Sequence, residues 1–206
     1  MEDVLAVYER PYNSDYPVVC MDEASRQLLG ETRAEYRLPD GSLRQDYEYV
    51  RHGEQKIFLT TEPLMGWRDI RVSPHRTAVD WAKFVAEVII ARYSNAKKIV
   101  LVCDNLNIHT KASFYEAYPP EEARRLAERL EIHYTPKHGS WLDIAEIELS
   151  AMQKQCLKSR RIETAEDLAA QLQAWATRRN REQTKVDWQF TAADARTKLK
   201  RLYPKV

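Results

Sequence analysis

Two aspartates in this chain each stand just after a short apolar run. Asp22 follows Tyr16-Pro17-Val18-Val19-Cys20-Met21, and Asp104 follows Ile99-Val100-Leu101-Val102-Cys103. One aspartate after a strand is ordinary turn chemistry, but two brought side by side repel, and a divalent cation removes that cost. Oxygen ligands suit Mg²⁺ or Mn²⁺, and two such ions about 3.5–4 Å apart serve in-line attack on a phosphodiester. A third carboxylate is expected from Trp141-Leu142-Asp143-Ile144-Ala145-Glu146-Ile147-Glu148, which offers three candidates. On a helix advancing about 100° per residue, Ile144, Ala145, Leu149, Ala151, Met152 and Cys156 form an apolar arc. Glu148 falls inside that arc and Glu146 nearly opposite, so the wheel alone aims Glu148 at the sheet. A residue in the first turn, however, sits where a wheel fitted to the helix body is unreliable, and the choice stays open.

The elements that must position these groups read as three strands, helix, strand, helix, strand, helix, helix. The run ending at Asp22 is a buried strand, and Lys56–Thr60 and Asp69–Val72 are two more, joined through Pro63-Leu64-Met65-Gly66 as an antiparallel pair beside the first. Leu28 to Val50 is polar and tyrosine-rich, with a turn signal at Pro39-Asp40-Gly41, and reads as an insertion or an edge hairpin. From Thr77 to Tyr93 the positions Ala78, Trp81, Val85, Val88 and Ile89 keep a helical period, and Thr77 with Asp80 resembles a helix-start box. Ile99–Cys103 is apolar on both faces, as a central parallel strand should be. Ala123, Leu126, Ala127 and Leu130 mark a second helix and Ile132–Thr135 a fifth strand, before helices at about 144–158 and 164–180. Trp81 and Trp175 read as core. This order predicts an α/β fold, a central sheet with helical crossovers. Its functional crevice lies at the carboxyl ends of neighbouring parallel strands, where Asp22 and Asp104 stand.

At 206 residues and 44% hydrophobic, with no repeat or linker, the chain is expected to form one domain over 1–206. No apolar run approaches the roughly 18 residues of a spanning helix, and Met1-Glu2-Asp3-Val4 does not open a secretory signal, so a cytoplasmic protein without a membrane partner is expected. Cys20, Cys103 and Cys156 show no metal or redox spacing and read as small buried residues in a reducing compartment. Residues 1–150 carry 19 Lys and Arg against 25 Asp and Glu, whereas residues 151–206 carry 13 against 6. An acidic body with a basic helical end is the asymmetry expected when a carboxylate cluster and phosphate contacts occupy different parts of one molecule. Lys154, Lys158, Arg160 and Arg161 follow the carboxylate helix, and Arg178, Arg179 and Arg181 end the next. Both clusters suit a DNA backbone track.

Three blocks taken in order are more specific. They are Val18-Val19-Cys20-Met21-Asp22-Glu23, Leu101-Val102-Cys103-Asp104-Asn105-Leu106-Asn107-Ile108-His109-Thr110, and Tyr134-Thr135-Pro136-Lys137-His138-Gly139-Ser140-Trp141-Leu142-Asp143-Ile144-Ala145-Glu146. Together they resemble the DDE transposases of bacterial insertion sequences related to mariner elements. The resemblance runs from about residue 16 to the tail, where Trp188-Gln189-Phe190-Thr191 and Lys198–Pro204 also match. It implies an RNase H-like fold, a mixed five-stranded sheet flanked by helices. It also implies a triad of Asp22, Asp104 and Glu146 as catalytic metal ligands for two Mg²⁺ (or Mn²⁺) ions. The implied reaction is nicking of double-stranded DNA at element ends and attack of the freed 3′-hydroxyl on target DNA, by a homodimer in a bacterial cytoplasm. His109 matches the family's histidine after the second aspartate and is expected either near the site, as a DNA contact, or as a structural residue at a helix start; Asn105, Lys137 and His138 are candidate DNA contacts, and Arg51-His52-Gly53 is another.

Two departures stand out. The family's upstream helix-turn-helix part is expected to be missing or supplied by another chain, and Asp143 stands where the family generally has Asn. The competing expectations are a hydrolytic RNase H-like nuclease or resolvase, and a remnant that only binds DNA. Retention of all the candidate acids speaks against the remnant.

Overall fold

The structure, a computed structural model, describes residues 1–32, 36–37, 39–40, 43–44, 48–137, 139–158 and 160–203. Five consecutive apolar residues can be accommodated only where both faces of a strand are covered, and all five residues of β6 (Ile99–Cys103) are buried. On one side β6 pairs in parallel with β1 (Val18–Glu31), on the other with β7 (Leu130–Tyr134). Antiparallel strands β4 (Tyr49–Glu62) and β5 (Trp67–Ser73) extend the sheet beyond β1. The order β5-β4-β1-β6-β7 is a mixed five-stranded sheet, as expected. Short β2 (Tyr36–Arg37) and β3 (Leu43–Arg44) form a separate hairpin.

Helices cover both faces. Against one face lie α2 (Ala78–Phe84, continued by a wider π-helical turn, Val85–Ile90), α3 (Ser113–Ala117) and α4 (Pro120–Glu128). They enclose Val19, Met21, Phe58, Trp81, Leu101 and Phe114. Thr77 caps α2 reciprocally with Asp80, the predicted start box. The other face carries α1 (Glu2–Tyr8), α5 (Ile144–Met152, continued by a π-helical turn, Gln153–Leu157), α6 (Ala165–Arg181) and α7 (Ala192–Lys198). Their residues pack on Cys20, Ile57, Val100 and Val102. Alternation along β1 and β6 therefore assigns odd positions of each to the α2 side and even positions to the α5 side.

Several boundaries differ from the sequence reading. The first strand does not stop at Asp22: β1 runs on to Glu31 and β4 starts at Tyr49, so the two ends of the Leu28–Val50 segment extend this strand pair, with a register shift between Gln27 and Leu29, and β2 and β3 lie between those ends. Polar side chains on an arm whose far end faces water leave no alternation to detect. Gly41 of the expected turn lies outside the described residues. Leu130 opens β7 rather than closing α4, which ends at Glu128. Helices α1, α3 and α7 were not anticipated, because seven, five and seven residues are too few for a periodic signal. The three cysteines are free and buried. Among the described residues no helix is long and apolar enough to cross a membrane.

Candidate active site

Register brings the two aspartates together. Cys20 is paired with Val102 across the parallel β1–β6 ladder. Asp22, still on β1, and Asp104, the residue just past the end of β6, are each two residues further and so stand at one level where the two strands lie about 4.8 Å apart. Both are even positions, so both belong to the α5 side. There the N-terminus of α5 delivers Asp143 and Glu146, with Asp143 as the N-cap.

Three aspartates share one arrangement. Asp22 Oδ1 accepts the backbone N–H of Glu23 at 2.7 Å, and Asp143 Oδ1 accepts that of Ala145 at 2.9 Å. Asp104 Oδ1 lies 2.6 Å from His109 Nδ1 and accepts the backbone N–H of Leu106 at 3.3 Å. Among the described residues no hydrogen bond engages the Oδ2 of any of them, and that of Asp143 is fully buried without a partner. Burial first, then the charges of Glu23, Asp104 and Glu146, push Asp22 up to about 7 against the bond from Glu23. Burial and the neighbouring Asp22 push Asp143 well above the carboxylate range. Partial burial would raise Asp104 as well, but the hydrogen bond and charge of His109 hold it below its usual value. Among the described residues no three His, Cys, Asp or Glu side chains are already gathered tightly around one point as a metal cage. The donor chemistry nevertheless fits a hard cation: all donors are carboxylate oxygens, each aspartate is anchored through one oxygen, and one free oxygen is buried where only a proton or a cation can satisfy it.

Glu148, the alternative third ligand, is committed elsewhere. It is 1% exposed, lies 3.0 Å from Arg68 Nε, and accepts two hydrogen bonds from Arg179, at 2.8 and 3.2 Å. The wheel correctly pointed Glu148 inward, but toward two arginines of β5 and α6 rather than toward the strand ends. Arg68 itself escaped the sequence reading, because one arginine among the alternating residues of an outer strand carries no signal.

The expected DNA-contacting residues divide. Asn105 and Lys137 are exposed and line a cavity with Asp104, Leu106, Thr135 and Ser140. Exposed Lys154 lines a second, open groove with Trp141, Asp143, Glu146 and Ile147. Lys158 and Arg160 are exposed, although Arg160 also donates to Gln171 at 2.7 Å. Arg161 is half-buried and turned to the β1–β4 arm, 2.6 Å from Glu31 and over the ring of Tyr49. His52 of the Arg51-His52-Gly53 segment faces Glu163 at 3.3 Å. His109 is fully buried and cannot lie on a DNA surface: it faces Asp104 with one nitrogen and Glu23 with the other. His138 lies outside the described residues.

Comparison with known proteins decides the family. Residues 17–169, which include all four site carboxylates, match the model of the DDE superfamily endonucleases. The chain belongs to this family. Its members cleave phosphodiester bonds, and in this DDE endonuclease the match spans the strands, the crossover helices, all of α5 and the first turn of α6. No curated protein matches it in sequence. Among solved structures it is similar to the Mos1 transposase paired-end complex with left transposon end (TM-score 0.58, 14% identity, 88% of this chain and 56% of that one). It is also similar to the Mos1 mariner paired-end complex with Mn (0.56, 15%, 88% and 54%) and the Mos1 strand transfer complex (0.55, 14%, 88% and 55%). These likenesses establish an RNase H-like catalytic-domain fold. The chain spans a little over half the length of those proteins.

Proposed function

We propose that this DDE endonuclease is the catalytic part of a transposase, nicking element ends and joining the freed 3′-hydroxyl to target DNA. Asp22, Asp104 and Glu146 act as ligands to two Mg²⁺ or Mn²⁺ ions. The observation that carries the reading is the set of aspartates at the carboxyl end of the β1–β6 ladder, each tied by Oδ1 and with Oδ2 free of any hydrogen bond among the described residues. When bound, the ions neutralise the carboxylates and polarise the scissile phosphate and the attacking oxygen. The chain's own residues fix the geometry: β1 and β6 hold Asp22 and Asp104 level, and the capped first turn of α5 brings in Glu146.

Hydrolysis forms a bond from the water oxygen to phosphorus and breaks the P–O3′ bond, leaving a 5′-phosphate and a 3′-hydroxyl; the attacking water gives up a proton to solvent and the departing O3′ takes one from solvent. In joining, the 3′-oxygen replaces water and a target P–O3′ bond breaks. Asn105 and Lys137, in the cavity with Asp104, and Lys154, in the groove with Glu146, together with exposed Lys158 and Arg160, carry the DNA backbone through phosphate contacts. A homodimer completes the reading.

The test uses purified chain with supercoiled plasmid and with a pre-cut duplex bearing a 3′-hydroxyl end. Nicking and joined products are expected with Mg²⁺ or Mn²⁺ and not with Ca²⁺, and both should vanish in Asp104→Asn. Full nicking by Asp104→Asn would refute the assignment. Nicking without any joined product would favour a hydrolytic nuclease.

A further inference from the structure

Glu23 lies next to a proposed metal ligand, yet alternation sends its side chain to the opposite face of the sheet. There it is 1% exposed, with Oε1 at 2.8 Å from His109 Nε2. The imidazole is itself fully buried and stacked on Trp81 at 5.5 Å between ring centroids. Its backbone carbonyl accepts the hydroxyl of Tyr134 at 2.7 Å. The other ring nitrogen reaches round the end of β6 to Asp104 Oδ1 at 2.6 Å. Carboxylate, ring and carboxylate thus form a continuous chain past the end of β6. One residue reaches both proposed ligands: the backbone N–H of Glu23 holds Asp22 Oδ1, and its side chain, through His109, holds Asp104 Oδ1.

We infer that Glu23 is a positioning residue. Its buried carboxylate sets the orientation of His109, and His109 turns Asp104 so that Oδ1 stays with the protein and Oδ2 is left for a cation. The inference rests on the metal-binding reading of Asp22, Asp104 and Glu146. An outer partner that orients a ligand group contributes about 10–100-fold in metal affinity. A ring with only the Asp104 contact could rotate about its side-chain torsions, and the carboxylate would lose its fixed rotamer. Phosphate contact, the role expected for a histidine at this position, is excluded by its burial.

The experiment compares the parent chain, Glu23→Ala and Glu23→Gln. It measures Mn²⁺ affinity by calorimetry, the Mn²⁺ concentration that half-saturates plasmid nicking, and thermal unfolding in EDTA. Glu23→Ala should weaken Mn²⁺ binding about 10–100-fold and raise the half-saturating concentration equally, with the rate largely recovered at saturating metal. Gln can donate to or accept from His109 Nε2 in either tautomer, so Glu23→Gln should bind Mn²⁺ nearly as the parent does. Should the Ala variant fail to fold, Glu23→Met fills the space without accepting a hydrogen bond and takes its place. Parent-like Mn²⁺ affinity in Ala or Met, whatever their unfolding temperature, overturns the inference and leaves Glu23 a structural residue. So does a loss in Gln as large as in Ala. A parent chain that neither binds Mn²⁺ nor nicks DNA overturns the metal-binding reading itself, a result distinct from the other two.

Discussion

Replacing Glu148 by Gln should unfold the protein early without removing its chemistry, whereas replacing Glu146 by Gln should do the reverse. Glu148 and Arg68 are both 1% exposed, and Arg179 closes on the same carboxylate. Without the carboxylate, two guanidinium groups face one another and an amide that returns only one acceptor. Removing one partner of a buried ion pair costs about 3–5 kcal/mol. A chain of this size loses about 2–4 °C in Tm per kcal/mol, so Glu148→Gln should fall by roughly 6–20 °C. Glu146 is half-buried in the first turn of α5 and among carboxylates. Its neutralisation gives up a helix-dipole term of about 0.3–1 kcal/mol and relieves repulsion of similar size, so Tm should move by no more than about 2 °C. Thermal unfolding in EDTA reads the first quantity, and plasmid nicking with Mn²⁺ at 20 °C, where both variants remain folded, reads the second. Glu146→Gln should show no nicking and Glu148→Gln near-parental nicking. Nicking that survives in the first and is lost in a thermally unaltered second would refute the reasoning, and Glu148 would be the ligand.

Metal-free stability should decline from pH 5.5 to pH 8. Asp22, pushed up to about 7, and Asp143, pushed well up, lose their protons more readily in the unfolded chain, so their contribution fades as pH rises through the folded values. His109 acts in the same direction: hydrogen bonds to Asp104, Cys103 and Glu23 outweigh its burial and push it up to about 12, so its contribution also decreases above its unfolded value. Asp104, held low, matters only in acid. The rise in Tm on adding Mg²⁺ should therefore be larger at pH 8 than at pH 5.5; an increment independent of pH would contradict the carboxylate site. DNA affinity should be nearly independent of sequence and steeply salt-dependent. Lys137→Ala and Lys154→Ala should each lower it uniformly and reduce the slope of log K against log salt by about 1, measured by fluorescence anisotropy. An unchanged slope in both would move the DNA path elsewhere.

What the amino-acid order determined by itself is local. Apolar runs ending in Asp22 and Asp104, the start box at Thr77, the central strand Ile99–Cys103 and the ordered blocks around them are properties of neighbouring residues, so the fold class and the two strands that carry the aspartates were legible. The inward aim of Glu148 was legible too, since a helical period is local. Only the tertiary structure decided what waits at the end of each side chain. The wheel could not say that Glu148 would meet Arg68 and Arg179, because strand pairing and helix docking bring residues 68, 148 and 179 together from distant parts of the chain. Nor could spacing separate a histidine on a DNA surface from one buried between Glu23 and Asp104, since that depends on β1 and β6 lying side by side. The continuation of β1 past Asp22 was hidden for the same reason: it is held by β4 across the sheet and by the backbone bond from Leu29 to Ile162, not by any pattern within the strand. Periodicity reports which face a residue takes, and only packing determines its partner.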